Sequence, residues 1–304
     1  MTKLDTKYEM ISIIITSFNE PKTIGKAIES FLDQNIKENY ELYIAAPDKE
    51  THEIVKKYQN KNKKIKLFID PGKGKSYAIN LLLPKLKGEI IILSDGDVYV
   101  SENSIKELIK PFENSKTGCV TGQPISIENK NTILGYWSHL LCNAAHKLRE
   151  RRHKQKKFLE CSGYLWAFRN KIIKKFPLDV GEDTIVPIMF YRKNYEIKYS
   201  PKAKVYVKYP EKIKEFFKQK RRTAGAHDNI SKYVNQKKIP KMKSFKNETF
   251  GTLQVLTYSK NIKELSWTFL LFPIRAYMWI NLYFNSYIRK KKYTDAWKSV
   301  DGTK

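Results

Sequence analysis

The chain has 304 residues, enough for one large domain or two with a buried core. Its 58 Lys and Arg against 31 Asp and Glu give a net charge of +27, which suits either nucleic acid or an anionic membrane face. The basic residues are scattered, so charge alone does not choose between these partners. Three widely spaced cysteines exclude a disulfide framework and a cysteine zinc site, and favour a reducing compartment: Cys119, Cys142 and Cys161. Residues 1–10 lack the apolar stretch of a signal peptide, so we expect a cytoplasmic catalytic part.

The first predicted unit is a strand, a polar loop and a helix. Residues 10–15 are apolar and mostly β-branched, as in a buried strand, and apolar residues recur at helical spacing over residues 23–34. The loop between them, residues 16–20, can present hydrogen-bond donors to a nucleotide. The simpler alternative is a capped helix start.

The next two units repeat this pattern. Asp48 follows the predicted strand 40–46 and precedes the helix 49–59, so it faces the same crevice as the first loop if the sheet is parallel. Taken alone, Asp48 is better interpreted as a helix-initiating residue. After a third strand, 65–70, glycines and lysines lead into a helix that suits a pyrophosphate, although the P-loop spacing is absent. We expect Lys75 and Asn80 of this helix to point toward the cleft.

A buried strand over residues 90–93 runs directly into Asp95-Gly96-Asp97. Ligands of open α/β sheets collect beyond the carboxyl ends of strands, where two carboxylates can hold a hard divalent cation. Asp-Gly is also a common turn signal, so the tripeptide by itself leaves both interpretations open.

The joint order of these motifs resembles the nucleotide-sugar half of a family 2 glycosyltransferase with the α/β GT-A fold. The resemblance implies that Asp48 contacts the nucleobase and that Asp97 binds Mg²⁺ or Mn²⁺ bridging the donor diphosphate. It also implies that six further residues contact the ribose and the rest of the nucleotide: Thr16, Asn19, Glu20, Lys75, Asn80 and Asp95.

The second half is expected to supply the acceptor side. We predict a short helix over residues 104–112, a strand over 118–124 that ends abruptly, and a long helix over 132–152. His139, His146 and His153 fall on one face of the long helix, but two turns separate neighbours by ~10 Å, which is too far for a shared metal ion. Residues 158–169 read as a loop into a strand and resemble the floor of the family's acceptor pocket.

Two further motifs follow on this side. Glu182 is interpreted as a helix cap, whereas Asp183 matches the family's Glu-Asp motif, whose aspartate acts as general base; both are assigned to the acceptor side. Residues 219–222 resemble the Gln-x-x-Arg-Trp motif of cellulose, chitin and hyaluronan synthases. The resemblance implies that Gln219, Arg221 and Arg222 bind the diphosphate or the acceptor. Thr223 stands where tryptophan is expected, which puts processive synthesis in doubt. The alternative is one more basic helix face.

The C-terminal part is predicted as a basic loop or linker over residues 231–264 and an apolar-aromatic helical segment over 265–304. Residues 231–246 of the linker are lysine-rich and are expected to form a mobile loop over the active site. Pro273, Arg275 and Asn281 interrupt the apolar run, so an interfacial helical hairpin on an anionic membrane fits better than a spanning helix. A buried helix pair or an oligomer contact is the alternative.

We therefore expect a GT-A catalytic domain over residues 1–230, with a nucleotide-sugar half (1–100) and an acceptor half (101–230). The expected activity is inverting transfer from a UDP-sugar to a lipid-linked or saccharide acceptor in glycan or cell-envelope synthesis. The enzyme would sit in the cytoplasm, peripheral or monotopic on the inner face of the cell membrane. One alternative is a basic nucleic-acid-binding protein, which is disfavoured by the acidic residues at strand ends and by the lack of a known nucleic-acid-binding module. The other is a GT-A protein that binds nucleotide without transferring sugar.

Overall fold

The computed structural model describes residues 8–225, 227, 229–234, 242 and 255–284. Its strands form one eight-stranded sheet in the order β3-β2-β1-β4-β7-β6-β8-β5. The strands are β1 (Met10–Thr16), β2 (Asn39–Ala46), β3 (Ile65–Ile69), β4 (Ile90–Asp95), β5 (Val98–Val100), β6 (Thr117–Ser126), β7 (Leu165–Arg169) and β8 (Glu196–Val207). The first four are parallel to one another, whereas β7 is antiparallel to both β4 and β6.

The helices follow the apolar spacing of the sequence. They are α1 (Ile24–Leu32), α2 (Lys49–Lys61), α3 (Lys75–Leu82), α4 (Ser104–Ile109), α5 (Ile133–Lys154), α6 (Glu182–Arg192), α7 (Ile213–Gly225) and α8 (Ile262–Tyr283). Helix α1, for example, buries Ile24, Ala27, Ile28 and Phe31, which lie on one face. The expected helix 104–112 ends earlier, because α4 gives way to a 3-10 turn over Lys110–Glu113.

Strand β4 lies near the middle of the sheet because both of its faces are apolar. Ile90 and Ile92 join one core cluster while Ile91 and Leu93 join the other, on the opposite face of the sheet. Its register with β1 places Asp95 beside Thr16. The carboxyl ends of β1, β2 and β4 therefore meet at one edge, as the parallel arrangement predicts.

The acceptor half contains strands that the sequence analysis did not predict. Strand β8 is 12 residues long, alternates buried and exposed positions in part, and carries Pro201. It pairs in parallel with β6, which continues to Ser126 instead of ending at Pro124. The short β5 closes this edge by pairing with β8.

The C-terminal segment differs from the expected hairpin. Helix α8 is continuous through Pro273 and already begins at Ile262, inside the stretch expected to be linker. One face packs on α5 and α7 in a third apolar cluster, where the Trp137 Nε1–H donates to the Trp267 carbonyl at 2.7 Å. No helix among the described residues is long and apolar enough to cross a membrane. Residues 285–304, and most of 235–254, lie outside the described residues.

Candidate active site

The Lys75 ammonium is the centre of the cluster at the sheet edge. It lies 2.6 Å from Asp95 Oδ1 and 2.8 Å from Glu182 Oε1. Burial alone would lower the pKa of Lys75, but the two carboxylates outweigh it and hold that pKa well above its ordinary value. The ammonium therefore joins the end of β4 to the first residue of α6, which are far apart in the sequence.

Asp95 is also held from β1, since the Thr16 hydroxyl donates to Asp95 Oδ1 at 3.2 Å. Asp97 lies two residues on, half-buried. Burial, and then the negative charge of Asp95, raises the pKa of Asp97 to about 7, while the charges of Arg222 and Lys75 oppose this shift. The influence of Arg222 means that the end of α7 lies close to the Asp-Gly-Asp turn.

The loop after β1 packs against this turn. Gly96 N–H donates to the Thr16 carbonyl at 2.8 Å, and a Cβ on Gly96 would lie 2.6 Å from both Ser17 Oγ and Glu20 Oε2. Ser17 Oγ in turn donates to Glu20 Oε2 at 2.9 Å. Glycine is thus required here by close approach of the neighbouring loop.

Asp48 ties the second unit to the same loop. One carboxylate oxygen caps α2 by accepting from Thr51 N–H at 2.9 Å, and the other accepts from Asn19 N–H at 2.7 Å. Asn19 has a left-handed backbone, with φ of 54°. Burial raises the pKa of Asp48, but the hydrogen bonds from Thr51 and Asn19 lower it by more. The net pKa of Asp48 is therefore below its ordinary value. The predicted helix-initiating role of Asp48 is confirmed.

Asp183 occupies the first turn of α6, directly after Glu182. Its carboxylate faces Gly163 in the loop before β7, where an added Cβ would lie 3.3 Å from Asp183 Oδ2. The Asp183 carbonyl accepts from Cys161 N–H at 3.1 Å, which fixes the loop to the helix. The carboxylate thus lies beside Gly163, which has no side chain to cover it.

Helix α7 supplies the other wall. Gln219 is buried, and its Oε1 has no hydrogen-bond partner among the described residues. Arg221 and Arg222 are exposed. Thr223, in the position of the motif's tryptophan, is exposed and donates its hydroxyl to the Gln219 carbonyl at 3.1 Å.

Two expectations are corrected by these contacts. Asn80 does not point freely into the cleft, because its amide makes two hydrogen bonds to the Phe176 backbone, at 2.9 and 2.7 Å. Glu182 is not the helix cap, since Gly181 occupies that position and the Glu182 carboxylate binds Lys75. Within the expected loop of 231–246, Lys232 pairs with Asp179 at 2.7 Å, and most of the loop lies outside the residues that the structure describes.

The histidines of α5 are each engaged locally. His139 contacts the Glu128 carbonyl at 2.8 Å, His146 contacts the Tyr199 hydroxyl at 2.7 Å, and His153 accepts from Tyr199 N–H at 3.3 Å. No group of three metal-ligating side chains occurs within the part of the chain that the structure describes.

Two tyrosines near Asp97 were not identified from the sequence. Burial first, and then the charge of Asp97, raises the pKa of Tyr164, which hydrogen-bonds Tyr209. Ser94 Oγ donates to the Tyr164 carbonyl at 2.8 Å and so fixes this residue beside β4. Tyr209 follows the unpredicted strand β8, and nothing in the local sequence signals its proximity to the Asp-Gly-Asp turn.

The carboxyl edge of the parallel strands thus brings together an acidic turn, a lysine and the end of a basic helix, at the position where open α/β sheets bind ligands. Residues 12–176, more than half of the chain, match the family described as "Glycosyl transferase family 2". The chain belongs to this family.

The relatives support the same assignment. The poly-β-1,6-N-acetyl-D-glucosamine synthase of Staphylococcus epidermidis is 28% identical over 72% of this chain and 55% of its own length. That of Staphylococcus aureus (strain COL) is 25% identical, with the same coverage. The chain thus spans about half the length of these relatives. In fold, it resembles mannosyltransferase PcManGT from Pyrobaculum calidifontis, in complex with GDP-Man and Mn²⁺, with a TM-score of 0.61, 16% identity, and coverage of 94% of this chain and 81% of that one.

Proposed function

We propose that the protein transfers a sugar from a UDP-sugar, with inversion, to a lipid-linked or saccharide acceptor in glycan or cell-envelope synthesis. The observation that carries this proposal is the Lys75 bridge, with its ammonium 2.6 Å from Asp95 and 2.8 Å from Glu182. It brings the proposed donor site and the proposed base into one cleft. N-acetylglucosamine is the first donor sugar to test, because the relatives are named for that polymer.

The donor would lie along the edge formed by the ends of β1, β2 and β4. Asp48 and Asn19 form the hydrogen-bonded rim that would meet the nucleobase, while Thr16 and Glu20 shape the loop beneath it. Asp95 would contact the ribose. Arg222, whose charge reaches Asp97, would contact the diphosphate.

The residues present fit a divalent cation that binds together with the diphosphate. Asp97 is costly to ionise beside Asp95, and a cation relieves that repulsion. Mg²⁺ commonly binds one or two carboxylates plus substrate phosphates, so two aspartates without a third acidic ligand suffice. Bound Mg²⁺ or Mn²⁺ would neutralise charge growing on the departing nucleoside diphosphate.

Asp183 would act as the general base. A sugar hydroxyl is a weak nucleophile until its proton is accepted, and the Asp183 carboxylate beside Gly163 can accept it. Attack then occurs opposite the leaving group, which inverts the anomeric centre. Gln219 and Arg221 would lie toward the acceptor.

The proposed location is the cytoplasmic face of the cell membrane, as a peripheral or monotopic protein. Support comes from the net charge of +27 and from exposed apolar side chains of α8, among them Phe269, Tyr277 and Ile280. An acceptor carried on or near that surface would be within reach of the cleft.

Calorimetric titration of UDP, with and without Mn²⁺, tests the donor site in wild type and Asp97→Asn. We expect metal-dependent binding in wild type and its loss in the variant, because Asp97 is the proposed ligand. Absence of UDP binding by folded wild-type protein under both conditions would refute the proposed function. UDP binding without sugar transfer to any acceptor would identify a protein that only binds nucleotide.

Asp183→Asn tests the base separately. The variant should bind UDP in the presence of Mn²⁺ as wild type does but lose transfer, by roughly the 10²–10⁴-fold typical of general-base removal. Weakened UDP binding in a folded variant would instead place Asp183 on the donor side.

A further inference from the structure

The residues that follow α7 contact two separate loops of the acceptor half. The described part of this stretch consists of residue 227 and residues 229–234, which are called the post-α7 segment below. One set of its side chains reaches the loop before α6, and another side chain reaches the loop before β7. These two loops are the ones that hold Asp183, the proposed base.

Asp179, four residues before Asp183, receives most of these contacts. Lys232 Nζ lies 2.7 Å from Asp179 Oδ2, and the Tyr233 hydroxyl donates to Asp179 Oδ1. Asn229 Nδ2 donates to the Asp179 carbonyl at 3.0 Å. Burial raises the pKa of Asp179, but the hydrogen bonds from Lys232 and Tyr233 outweigh burial and hold that pKa below its ordinary value. The Asp179 carboxylate is therefore charged at neutral pH and anchors the post-α7 segment.

The second contact joins the post-α7 segment to the loop before β7. His227 Nε2 lies 3.2 Å from Oε2 of Glu160, whose side chain is buried. The next residue of that loop, Cys161, donates its N–H to the Asp183 carbonyl at 3.1 Å. The post-α7 segment thus contacts the residue adjacent to the backbone hydrogen bond that holds Asp183.

The post-α7 segment is also attached along α6. Arg192, the last residue of α6, donates from its guanidinium to the Tyr233 carbonyl at 3.3 Å. Val234 is buried in the same apolar cluster as Val180 and Ile185, which flank the start of α6. The segment is therefore fastened near both ends of the helix whose first turn carries the proposed base.

We propose that Asp179 is a positioning residue for sugar transfer, which acts with the post-α7 segment to set the position of Asp183 in the cleft. This inference rests on the proposed function, in which Asp183 is the general base. A base must lie within hydrogen-bond reach of the proton that it accepts, and a shift of about 1 Å can lower a rate ~10²-fold. The Glu182 side chain has its own anchor in Lys75, at 2.8 Å. Loss of the Asp179 contacts should therefore displace the base more than the donor side.

The kinetic test compares wild type with Asp179→Ala, using UDP-N-acetylglucosamine, Mn²⁺ and a β-1,6-linked N-acetylglucosamine oligomer as acceptor. We expect kcat to fall tenfold or more while UDP affinity changes less than threefold. Glu196→Ala is the matched control, because Glu196 is also a partly exposed acid paired with a lysine, Lys198, but it lies on β8. Glu196→Ala should leave kcat unchanged. An unchanged kcat in Asp179→Ala, or an equal fall in Glu196→Ala, would overturn the proposal.

Variants of the partner side chains test whether the contact itself matters. Asp179→Asn keeps an oxygen for the Tyr233 hydroxyl and should lose less kcat than Asp179→Ala does. Tyr233→Phe should lower kcat threefold or more, and adding it to Asp179→Ala should cause no further loss, because both changes remove one contact. If Asp179→Ala does not fold, Tyr233→Phe decides, since it removes a single hydroxyl from a side chain that is 42% exposed. Independent, additive losses would contradict a shared role.

Hydrogen exchange separates positioning from general stability. Lys232 is 53% exposed, so its ion pair contributes little to stability, and Asp179→Ala should melt only a few degrees below wild type. Exchange should become faster at Cys161 and in the first turn of α6, and stay unchanged in β4. Faster exchange throughout the sheet, with kcat and UDP affinity falling together, would assign Asp179 a purely structural role.

The same experiments separate this inference from the proposed function. An active wild type whose kcat is unaffected by Asp179→Ala and Tyr233→Phe would refute the positioning role alone. Failure of folded wild-type protein to bind UDP would refute the proposed function, and the positioning role with it.

Discussion

Lys75 is the residue on which the two halves of the site depend. Replacing it with methionine leaves the carboxylates of Asp95 and Glu182 facing each other without a cation. We expect Lys75→Met to lose about 2–3 kcal/mol of unfolding free energy, somewhat below the usual cost of breaking a buried pair because Asp95 is partly exposed. It should also abolish UDP binding. Urea unfolding and calorimetry measure the two effects.

A double variant shows whether repulsion is the cause. Adding Glu182→Gln to Lys75→Met removes one of the two opposed charges, and it should recover part of the lost stability. Lys66→Met is a control, since Lys66 pairs with buried Glu41 at 2.7 Å away from the acidic turn. It should leave UDP affinity unchanged. A Lys66→Met effect on UDP equal to that of Lys75→Met would contradict a specific role of the bridge.

A second prediction at the residue scale concerns the effect of Asp97 on the pH dependence of stability. Its pKa is raised from 3.8 to about 7 in the folded protein, so the folded state retains a proton that the unfolded chain releases. Ionising Asp97 therefore costs stability that increases as the pH rises from about 4 to above 7. Without metal, Asp97→Asn should match wild type near pH 4 and have a higher melting temperature at pH 8.

Thermal melts across this range check the sign. Asp33→Asn, a change at an exposed aspartate after α1, removes the same charge and should show no such trend. Asp97→Asn could instead raise the melting temperature equally at pH 4 and pH 8. That result would mean that burial of the Asp97 charge does not cause the gain in stability.

At the scale of the elements, substitutions at two glycines should distinguish donor binding from sugar transfer. Gly96→Ala would bring a methyl 2.7 Å from Ser17 Cβ and displace the loop after β1, so it should weaken UDP affinity tenfold or more. Gly163→Ala would bring a methyl 3.3 Å from Asp183 Oδ2, so it should lower the transfer rate with UDP affinity unchanged. Calorimetry and initial rates on both variants test this division. Equal loss of UDP binding in both would contradict it.

The elements also show how far sequence reasoning reaches. Strands β1, β2 and β4 were predicted because local apolar runs determine them, and Asp95 and Asp97 are placed by the strand that precedes them. Asn80 was misplaced because its partner is the Phe176 backbone, 96 residues away. Strand β8 was missed because its alternation is interrupted by exposed Pro201 and Lys202.

At the scale of the whole molecule, the proposed donor side could be predicted and the proposed acceptor side could not. The donor side is built from loops that directly follow their strands, so the order of motifs specifies its geometry. The acceptor side is assembled from α5, the loop before β7, the end of β8 and α7. The contacts of Tyr164 and Tyr209 arise only from tertiary packing, which no local pattern encodes.

Helix α8 presents one buried face and one exposed face. Leu271 is buried against α5 and α7, as are the backbone of Trp267 and the hydroxyl of Thr268. The opposite face carries an apolar stripe at helical spacing, and its exposed members are Ile262, Leu265, Phe269, Tyr277, Ile280 and Phe284. Such a stripe on a protein of charge +27 suits the headgroup layer of an anionic membrane.

Vesicle co-sedimentation tests the apolar stripe. Phe269→Ser with Ile280→Ser should reduce binding to phosphatidylglycerol-rich vesicles about tenfold or more, because each side chain contributes roughly 1.5–3 kcal/mol on burial. The fold should be unaffected, since these side chains are 53% and 68% exposed. The control, Ile69→Ser with Ile127→Ser, removes exposed apolar side chains from other surfaces and should bind as wild type does. If wild-type protein self-associates in solution through this stripe and does not bind vesicles, α8 is an oligomer contact. The membrane proposal would then be wrong.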